Sequence, residues 1–372
     1  MPHQRPSEHL RPVHLVGSVP LRSAEEVFTV ASAELGDHLR RIPDGETGDR
    51  AGWIGFQVPL LAAHPDPVRD LGTGHDRMLL ERAERAEGSG YKRPTFRLRA
   101  GADPAAVRFD DLGYARAAIG SYAVFARLKA AGVISGRTRF QVSLPTPLAP
   151  LVVFVAPGDV AALLPAYRRA MLAELTRILT AVPVGELAVQ WDVAAEIALL
   201  EGAFTAQFDD VAEVVEQELV ELGDSVPDGV ELGYHFCYGD FGHEHFVEPR
   251  DLTVPVALAG AVAAGLRRRL DFVHMPVPRE RDDCAYFAPL QALDVPASCE
   301  LHLGLVHATD GLAGARRRLA AASRYRAVFG VAAECGFGRR DPDAVVPLLR
   351  LHREVSSASG APDARSDPQE KT

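Results

Sequence analysis

Several features that define whole classes of protein are missing from this sequence of 372 residues. Only four cysteines occur, at irregular spacing, which is too few for the disulfide framework of a secreted protein and predicts a reducing, cytoplasmic setting. Basic residues do not exceed acidic ones, and the formal net charge of -10 argues against nucleic acid or an anionic membrane surface as a partner. No run of 18 apolar residues is present, so we expect no membrane span.

Two further absences narrow the class of protein. Residues 1–11 are polar and lack the apolar core of a signal peptide. No Gly-x-Gly-x-x-Gly motif follows the first strand-like run, which disfavours an open dinucleotide-binding sheet. With 47% hydrophobic and 24% charged residues, the composition is that of a globular protein with a substantial core.

The sequence does contain a repeated alternation of apolar strand-like runs and helical patterns, which is typical of βα units. About eight such units can be counted, and this number favours an α/β fold of the (β/α)8 TIM-barrel type. The predicted strands are 13–18, 38–42, 139–144, 186–191, the run from 229 that leads to His235 and Cys237, 271–274, 299–307 and 328–333.

The domain organisation follows from the same alternation. We predict a single barrel over 13–355, preceded by an N-terminal arm at 1–12 and followed by a disordered tail at 356–372. The alternation of strands and helices is interrupted after the second strand, where an insertion at about 64–109 is expected to cover one face of the barrel. Within it, the mixed segment 91–99 suggests a hairpin.

The active site of a TIM barrel lies at the C-terminal ends of its strands. The residues predicted there include many His, Cys and carboxylate side chains, and they are Gly17, Ser18, Asp44, Glu46, Thr146, Asp192, His235, Cys237, His274, His307, Asp310 and Cys335. The predicted fold therefore gathers scattered zinc-type ligands into one place.

A metal site is the first hypothesis for this set. His235 and Cys237 are two residues apart at a strand end, so their side chains project to the same side. Imidazole and thiolate are the ligands that zinc favours. Cys335 ends the last strand and His274 ends the strand between them, and we predict both as further ligands. The alternatives are an inert buried thiol at Cys335 and a core histidine at His274.

Other histidines and cysteines are weaker candidates for metal ligands. His243 and His245 are more typical of a solvated loop, and Cys284 and Cys299 of structural residues.

A zinc ion held by two thiolates and two imidazoles is close to neutral and can keep a bound thiol nucleophilic. That chemistry suits alkyl transfer to or from sulfur, whereas hydrolysis more usually relies on a His-rich or carboxylate-rich zinc site.

Taken together, the motifs resemble the catalytic barrel of cobalamin-independent methionine synthase and its relatives in the uroporphyrinogen decarboxylase/methionine synthase-like superfamily. The matching segments are Val-Gly-Ser-Val-Pro at 16–20, Asp-Gly-Glu at 44–46, Gln-x-Asp at 190–192, His-Phe-Cys-Tyr at 235–238 and Cys-Gly at 335–336. They occur in the family's order and cover nearly the whole chain. The His-x-Cys with a distant Cys-Gly is the most specific of them.

The resemblance implies a role for each matched position. Gly17 and Ser18 correspond to a turn that contacts the amino-acid substrate, and we expect them to bind its carboxylate. Glu46 and Asp192 correspond to the acids that hold the substrate amine. The His-x-Cys and Cys-Gly segments correspond to the zinc ligands.

The sequence also departs from the family pattern. The family's carboxylate zinc ligand at the end of the sixth strand is absent, and His274 is the substitute that we predict. The proton-relay segment of the seventh strand appears as His-Ala-Thr-Asp, so that Asp310 or His307 would move the proton. The full synthase carries a second barrel that helps to bind folate, and this chain has room for one. The resemblance therefore does not establish methyltetrahydrofolate as the donor or homocysteine as the acceptor.

The leading interpretation is a zinc-dependent alkyltransferase, with methyl as the expected group and a small-molecule thiol as the substrate. The alkyl donor stays open between a folate, methylcobalamin and another compound. A second interpretation keeps the barrel but assigns it C–S bond cleavage or another lyase reaction. A third is a non-catalytic zinc-binding or small-molecule-binding protein, in which Glu46 and Asp192 are merely solvated acids. The oligomeric state is also open, a homo-oligomer included.

Overall fold

The structure, a computed structural model, describes residues 10–70, 94–239 and 244–357. The strands in these ranges are β1 Val13–His14, β2 Arg41–Pro43, β3 Pro67–Asp70, β4 Thr95–Leu98, β5 Arg139–Pro145, β6 Leu187–Val193, β7 Glu231–Phe236, β8 Phe272–Pro276, β9 Glu300–Val306 and β10 Gly330–Ala333. Eight of these described strands form one parallel sheet in the order β1-β10-β9-β8-β7-β6-β5-β2. A bridge between Val13 and Leu39 brings its two edges together, so the sheet is a nearly closed barrel. The predicted barrel fold is confirmed.

Helices connect the strands and form the outer layer. The described α-helices are α1 Ala24–Leu35, α2 Val58–Ala63, α3 Tyr114–Ala130, α4 Leu148–Phe154, α5 Pro157–Ala181, α6 Ala195–Leu200, α7 Val211–Asp224, α8 Thr253–Gly265, α9 Cys284–Phe287, α10 Gly311–Ser323 and α11 Val345–Ser356. Short 3-10 helices cover Gly36–His38, Gly48–Arg50, Trp53–Gln57, Pro104–Ala106, Val184–Glu186, Ala288–Ala292 and Pro342–Ala344. None of the described helices combines the length and apolar character that crossing a membrane requires.

The central strands are buried on both faces, because the barrel interior lies on one side and the helices on the other. All seven residues of β6 are buried, which explains why this strand reads as a nearly continuous apolar run in the sequence. Its register with β7 sets Asp192 beside His235, and the register of β7 with β8 sets His235 beside His274. Three of the predicted site residues therefore lie at one level on neighbouring strands.

Aromatic packing fixes the helical layer on the barrel. Ser23 caps α1, accepting a hydrogen bond from the backbone N–H of Glu26, as the sequence predicts. Phe28 of α1 packs edge-on against Phe125 of α3 and Phe140 of β5, with ring centroids 5.7 and 6.1 Å apart. Such contacts add to the apolar burial that holds each helix in place.

The insertion after β2 is described only in part. β3 pairs with β4 in an antiparallel ribbon, with Pro67 opposite Leu98 and Asp70 opposite Thr95. The segment predicted as a hairpin thus contributes one strand of a ribbon whose other strand lies earlier in the chain. Residues 71–93 lie outside the described residues, as do most of the predicted arm and of the predicted tail.

The barrel interior is polar at the level below the strand ends. The buried polar side chains there are His14, Gln141, Gln190, His274 and His302. Barrel interiors are more often filled by branched apolar residues. The His14 ring lies 4.9 Å from that of His302 and 5.8 Å from that of His274, measured between ring centroids. This layer underlies the candidate site and supplies its hydrogen-bond partners.

Candidate metal centre and the adjoining cavity

Three potential metal ligands converge at the carboxyl ends of β7 and β10. His235 lies one residue before the end of β7, Cys237 follows that strand, and Cys335 lies two residues beyond β10. The Sγ atoms of Cys237 and Cys335 are 3.7 Å apart, and the Cys335 Sγ is 3.9 Å from His235 Nε2. One ligand atom of each of the three residues lies within 4.8 Å of the other two.

These separations match the edges of a tetrahedral zinc site. With Zn–S near 2.3 Å and Zn–N near 2.0–2.1 Å, two thiolates are about 3.8 Å apart, and a thiolate and an imidazole nitrogen about 3.6 Å apart. The observed 3.7 and 3.9 Å differ from these values by a few tenths of an ångström or less. Neither Cys237 nor Cys335 forms a disulfide. The donor set therefore fits zinc and leaves one of four positions for a further ligand.

The environment of Cys335 favours its metal-binding form. The hydrogen bond from Cys237 is the main cause that holds the pKa of the Cys335 thiol well below its ordinary value. Burial acts in the opposite direction and is outweighed. The thiolate, rather than the thiol, is the metal ligand.

The turn after Cys335 packs directly on the turn after β1. A Cβ atom at Gly336 would lie 2.2 Å from Ser18 Oγ, so the close approach requires glycine there. The Phe337 N–H donates to the Ser18 carbonyl at 2.7 Å, and the Gly338 N–H donates to Ser18 Oγ at 3.2 Å. The predicted substrate turn and the predicted thiolate turn thus form one locked unit.

His274 lies behind His235 rather than beside the thiols. Its Nδ1 is 2.7 Å from His235 Nδ1, and its Nε2 is 3.0 Å from the carbonyl oxygen of Ala333. Both ring nitrogens are therefore engaged with neighbouring residues, and the side chain is fully buried. This arrangement differs from the expectation that His274 is itself a ligand. It is not among the residues whose ligand atoms converge.

A cavity of about 1400 Å³ opens beside the three ligands. The predicted site residues that line it are Gly17, Ser18, Glu46, Asp192, His235, Cys237 and Cys335. Its remaining walls are mainly apolar and aromatic, with Trp53, Phe56, Phe154 and Phe246 among them, and they include Arg116 and Arg339. One space therefore adjoins the three potential metal ligands, the two buried carboxylates Glu46 and Asp192, and a mainly apolar wall.

The two carboxylates are buried and interact with each other. Burial is the main cause that raises the pKa of Glu46 to about 7; the charges of Asp44 and Cys335 raise it further, and the charge of Arg50 opposes the shift. Burial is also the first cause that raises the pKa of Asp192 well above its ordinary value, followed by the charge of Glu46. Perturbed carboxyl groups in a cavity are typical of a functional site. A cationic group placed between them would favour the charged form of both.

A chain of buried amides holds Asp192. The Gln190 side-chain amide donates to Asp192 Oδ1 at 2.8 Å and to the carbonyl of Val16 at 2.6 Å. The Gln190 carbonyl oxygen lies 2.8 Å from His14 Nε2. The amide of Gln141 donates to the carbonyl of Val16 as well, at 3.0 Å. This network ties the turn after β1 to the end of β6, and the sequence pattern did not single it out.

The loop after β2 presents Glu46 through a constrained backbone. Asp44 Oδ1 accepts from the Glu46 N–H at 2.9 Å, and its other oxygen accepts from Arg50 at 2.5 Å. Glu46 and Trp53 are the described non-glycine residues with positive φ, at 51° and 56°. For a residue as bulky as Trp such a φ is unusual, and it occurs mostly at functional sites.

The residues predicted to move a proton lie outside the cavity lining. The two carboxylate oxygens of Asp310 accept from Arg318 at 2.7 and 2.8 Å. His307 Nε2 donates to the carbonyl of Val277 at 2.8 Å, and its Nδ1 is 3.8 Å from a carboxylate oxygen of Glu334.

Glu334 is a neighbour of the site that sequence reasoning missed. It precedes Cys335, and its carboxylate is 2.9 Å from His245 Nε2. Burial alone would lower the pKa of His245, but the hydrogen bonds and charges of Glu334 and Glu248 outweigh it and raise the pKa to about 9. His245 is therefore mainly protonated at neutral pH and forms an ion pair with Glu334. The feature of the sequence that could have pointed to Glu334 is its position next to the predicted ligand Cys335.

Comparisons with known proteins identify the class of fold. No protein-family model and no curated protein sequence matches the chain. Solved structures do match, and they show that the chain has the fold of methionine synthase-like catalytic domains. Identities of 10–14% limit this result to the fold.

Three of these structures cover nearly the whole chain. A candidate vitamin-B12-independent methionine synthase of Listeria monocytogenes matches with a TM-score of 0.51 at 14% identity, over 90% of this chain and 86% of that protein. A B12-independent methionine synthase of Shewanella, solved with selenomethionine, matches with a TM-score of 0.52 at 13% identity, over 94% and 96%. A methyltransferase of Methanosarcina mazei matches with a TM-score of 0.54 at 10% identity, over 94% and 95%.

Proposed function

We propose that this protein is a zinc-dependent alkyltransferase, with methyl as the expected group, that acts on a small-molecule thiol bearing an amine and a carboxylate. The observation that carries the proposal is the convergence of His235, Cys237 and Cys335 on one wall of a cavity that also contains two buried carboxylates. The fold shared with methionine synthases and a methyltransferase supports the same class of reaction.

The three converging residues would hold the metal, with two thiolates balancing its charge. Zinc bound there would act as a Lewis acid that lowers the pKa of the substrate thiol and keeps it nucleophilic at neutral pH. Cys335 is positioned for this task by the packing of its turn on Ser18, and His235 by its contact with His274.

Glu46 and Asp192 would bind the substrate amine. Both carboxylates are buried, and their pKa values are raised because the charged form has lost its hydration. An ammonium group bound beside them would stabilise that charged form. Ser18 Oγ accepts from the Gly338 N–H, which leaves the hydroxyl proton to donate to a substrate carboxylate. Gln190 would hold Asp192 in place through its hydrogen bond to the carboxylate.

Proton transfer during the reaction is assigned to His307 in this proposal. Asp310 was predicted as the alternative, but its two oxygens are already bound by Arg318, which disfavours it as a base. His307 retains a ring nitrogen 3.8 Å from Glu334, beside the ligand Cys335. Burial is the main cause that lowers the pKa of His307 to about 4, so the ring is neutral at pH 7 and, as a weak base, would hold a transferred proton only transiently.

The test combines metal analysis with a reaction screen. The purified protein is expected to contain about one equivalent of zinc by ICP-MS, and to transfer an alkyl group from a folate, methylcobalamin or sulfonium donor to an aminothiol in a mass-spectrometric screen. Loss of sulfur from a thioether without an acceptor would indicate C–S cleavage instead. Absence of bound zinc under non-chelating conditions would contradict the proposal.

A further inference from the structure

We propose that His274 is a positioning residue that sets the proton of His235, so that the Nε2 of His235 is free to bind a metal. The site would then have three protein ligands, and His274 would orient one of them. This inference rests on the metal centre in the proposed function, and it makes a statement about the metal-free protein that can be tested separately.

The first step concerns the protons of His274. Its Nε2 lies 3.0 Å from the carbonyl oxygen of Ala333, and a carbonyl oxygen can only accept a hydrogen bond. Nε2 therefore carries a proton. The side chain is fully buried, and its hydrogen-bond partners are an imidazole and a carbonyl rather than a carboxylate, so the ring with a single proton is favoured. The remaining nitrogen, Nδ1, is consequently an acceptor.

The second step follows from the contact between the two imidazoles. Nδ1 of His274 and Nδ1 of His235 are 2.7 Å apart, which is a hydrogen-bond distance. Since His274 accepts in this bond, His235 must donate, and its proton must be on Nδ1. The neutral His235 ring then has its lone pair on Nε2. That is the nitrogen 3.9 Å from Cys335 Sγ, on the side of the thiols.

The third step is the position of His274 between the strands that carry the ligands. On β8 it is the register partner of His235 on β7, and its other hydrogen bond reaches Ala333 at the end of β10, two residues before Cys335. One buried ring thus links the backbone leading to Cys335 with the side chain of His235. If His274 were a ligand, one of its two hydrogen bonds would be lost, and with it this link.

Substitutions of His274 distinguish a role as a metal ligand from a role in positioning His235. An Asn side chain places its carbonyl oxygen near the position of Nδ1, so His274→Asn can still accept from His235. His274→Leu has a similar volume and cannot. Since amide side chains are poor zinc ligands, a ligand role predicts equal losses in both variants. A positioning role predicts that Asn retains most of the metal affinity, while Leu loses about 10–100-fold, as is typical when a hydrogen-bond partner of a ligating His is removed.

Two measurements are needed, and neither depends on turnover. The first is zinc affinity by chelator competition, together with the visible spectrum of the Co(II)-loaded protein, for the wild type, the two variants and a matched control, His302→Asn. His302 is equally buried and is the register partner of His274 on β9, but it does not contact the three ligands. The control should bind zinc as the wild type does, and the Co(II) spectrum of His274→Asn should keep the wild-type band positions.

The second measurement is the ¹⁵N chemical shifts of the His235 ring in the metal-free wild-type protein, which need no variant to fold. A proton on Nδ1 alone supports the inference, and a proton on Nε2, with or without one on Nδ1, overturns it. Equal affinity losses in His274→Asn and His274→Leu, with a changed Co(II) spectrum, would also overturn it. If the wild type binds no zinc but His235 is protonated on Nδ1, the proposed function fails while the positioning of His235 by His274 stands.

Discussion

The Sγ atoms of Cys237 and Cys335 lie 3.7 Å apart although 98 positions separate the two residues along the chain. Because zinc binds a hydroxyl group much more weakly than a thiolate, Cys237→Ser and Cys335→Ser should each reduce bound zinc from about one equivalent to a small fraction. ICP-MS after gel filtration checks this outcome.

The other two cysteines provide the matched controls for that experiment. Cys284 and Cys299 lie outside the cavity lining, and burial is the main cause that raises the pKa of Cys299 to about 12, which makes it an inert thiol. Cys284→Ser and Cys299→Ser should keep the full zinc content. A loss of zinc in these variants equal to that in the site variants would contradict the assigned ligands.

The pKa of Glu46, raised to about 7, predicts a particular dependence of stability on pH. The folded state binds this proton more tightly than the unfolded chain does, so stability should fall as the pH rises from about 4.5 through 7. Glu46→Gln removes this loss and should be more stable than the wild type at pH 8, by roughly 3 kcal/mol. Urea unfolding at pH 5 and pH 8 measures the difference.

The same substitution should weaken substrate binding, because a neutral amide cannot pair with an ammonium group. Binding of an aminothiol to the wild type should tighten as the pH rises through 7, and Glu46→Gln should lose that dependence. Calorimetric titrations at several pH values give both results. An unchanged affinity in Glu46→Gln would remove this residue from the proposed substrate site.

His245 predicts a loss of stability in the same direction as Glu46, but at higher pH. Its pKa in the folded protein is about 9, so its ion pair with Glu334 stabilises the fold fully below pH 6.5, and this stability is lost as the pH rises through 9. The loss should amount to about 2–3 kcal/mol and should disappear in His245→Asn. Thermal unfolding between pH 6 and pH 10 measures it.

A control for this prediction uses the second acid near His245. Glu248 lies 3.2 Å from His245, but its side chain is 74% exposed, so the pair is screened by solvent. Glu248→Gln should therefore change the pH profile little, whereas Glu334→Gln should flatten it as His245→Asn does. Equal effects of both substitutions would show that the Glu334 pair is not the dominant one.

Gly304 controls how closely β9 approaches the end of β10. A Cβ atom at this position would lie 2.6 Å from Glu334 Cα, which is backbone and cannot swing away. Gly304→Ala should cost about 1–3 kcal/mol of stability and should shift the segment that carries Cys335, with loss of zinc affinity. In contrast, Gly120→Ala in α3 has open space around the new methyl group and should stabilise the protein by roughly 0.5–1 kcal/mol. Denaturant unfolding and chelator competition distinguish the two variants.

The barrel could be predicted from the sequence because its strands are buried on both faces and read as separate apolar runs. The convergence of His235, Cys237 and Cys335 followed from that fold, since the ends of parallel strands lie together. The position of His274 relative to them did not follow. His274 lies at the same level as His235, its register partner on β7, and its ring is held behind His235 by contacts with His235 and with the Ala333 carbonyl that no strand pattern encodes.

The parts of the site that escaped prediction depend on contacts between distant loops. The pairing of His245 with Glu334 joins residues 89 positions apart, and no local pattern marks either of them as a partner. The positive φ of Trp53 is equally invisible, because a bulky aromatic residue has no intrinsic preference for that conformation. Such a backbone is imposed by tertiary structure.

The three candidate ligands lie at the carboxyl ends of β7 and β10, and this distribution affects when during folding a metal could bind. β7 can pair with β6 as soon as both have been synthesised, but Cys335 follows the last strand of the barrel, 100 positions after His235. The complete donor set cannot exist until β10 has docked between β9 and β1. Capture of a metal is therefore expected to be a late event, which occurs only in molecules whose first and last strands have met, and metal content would report the fraction of chains that have completed assembly.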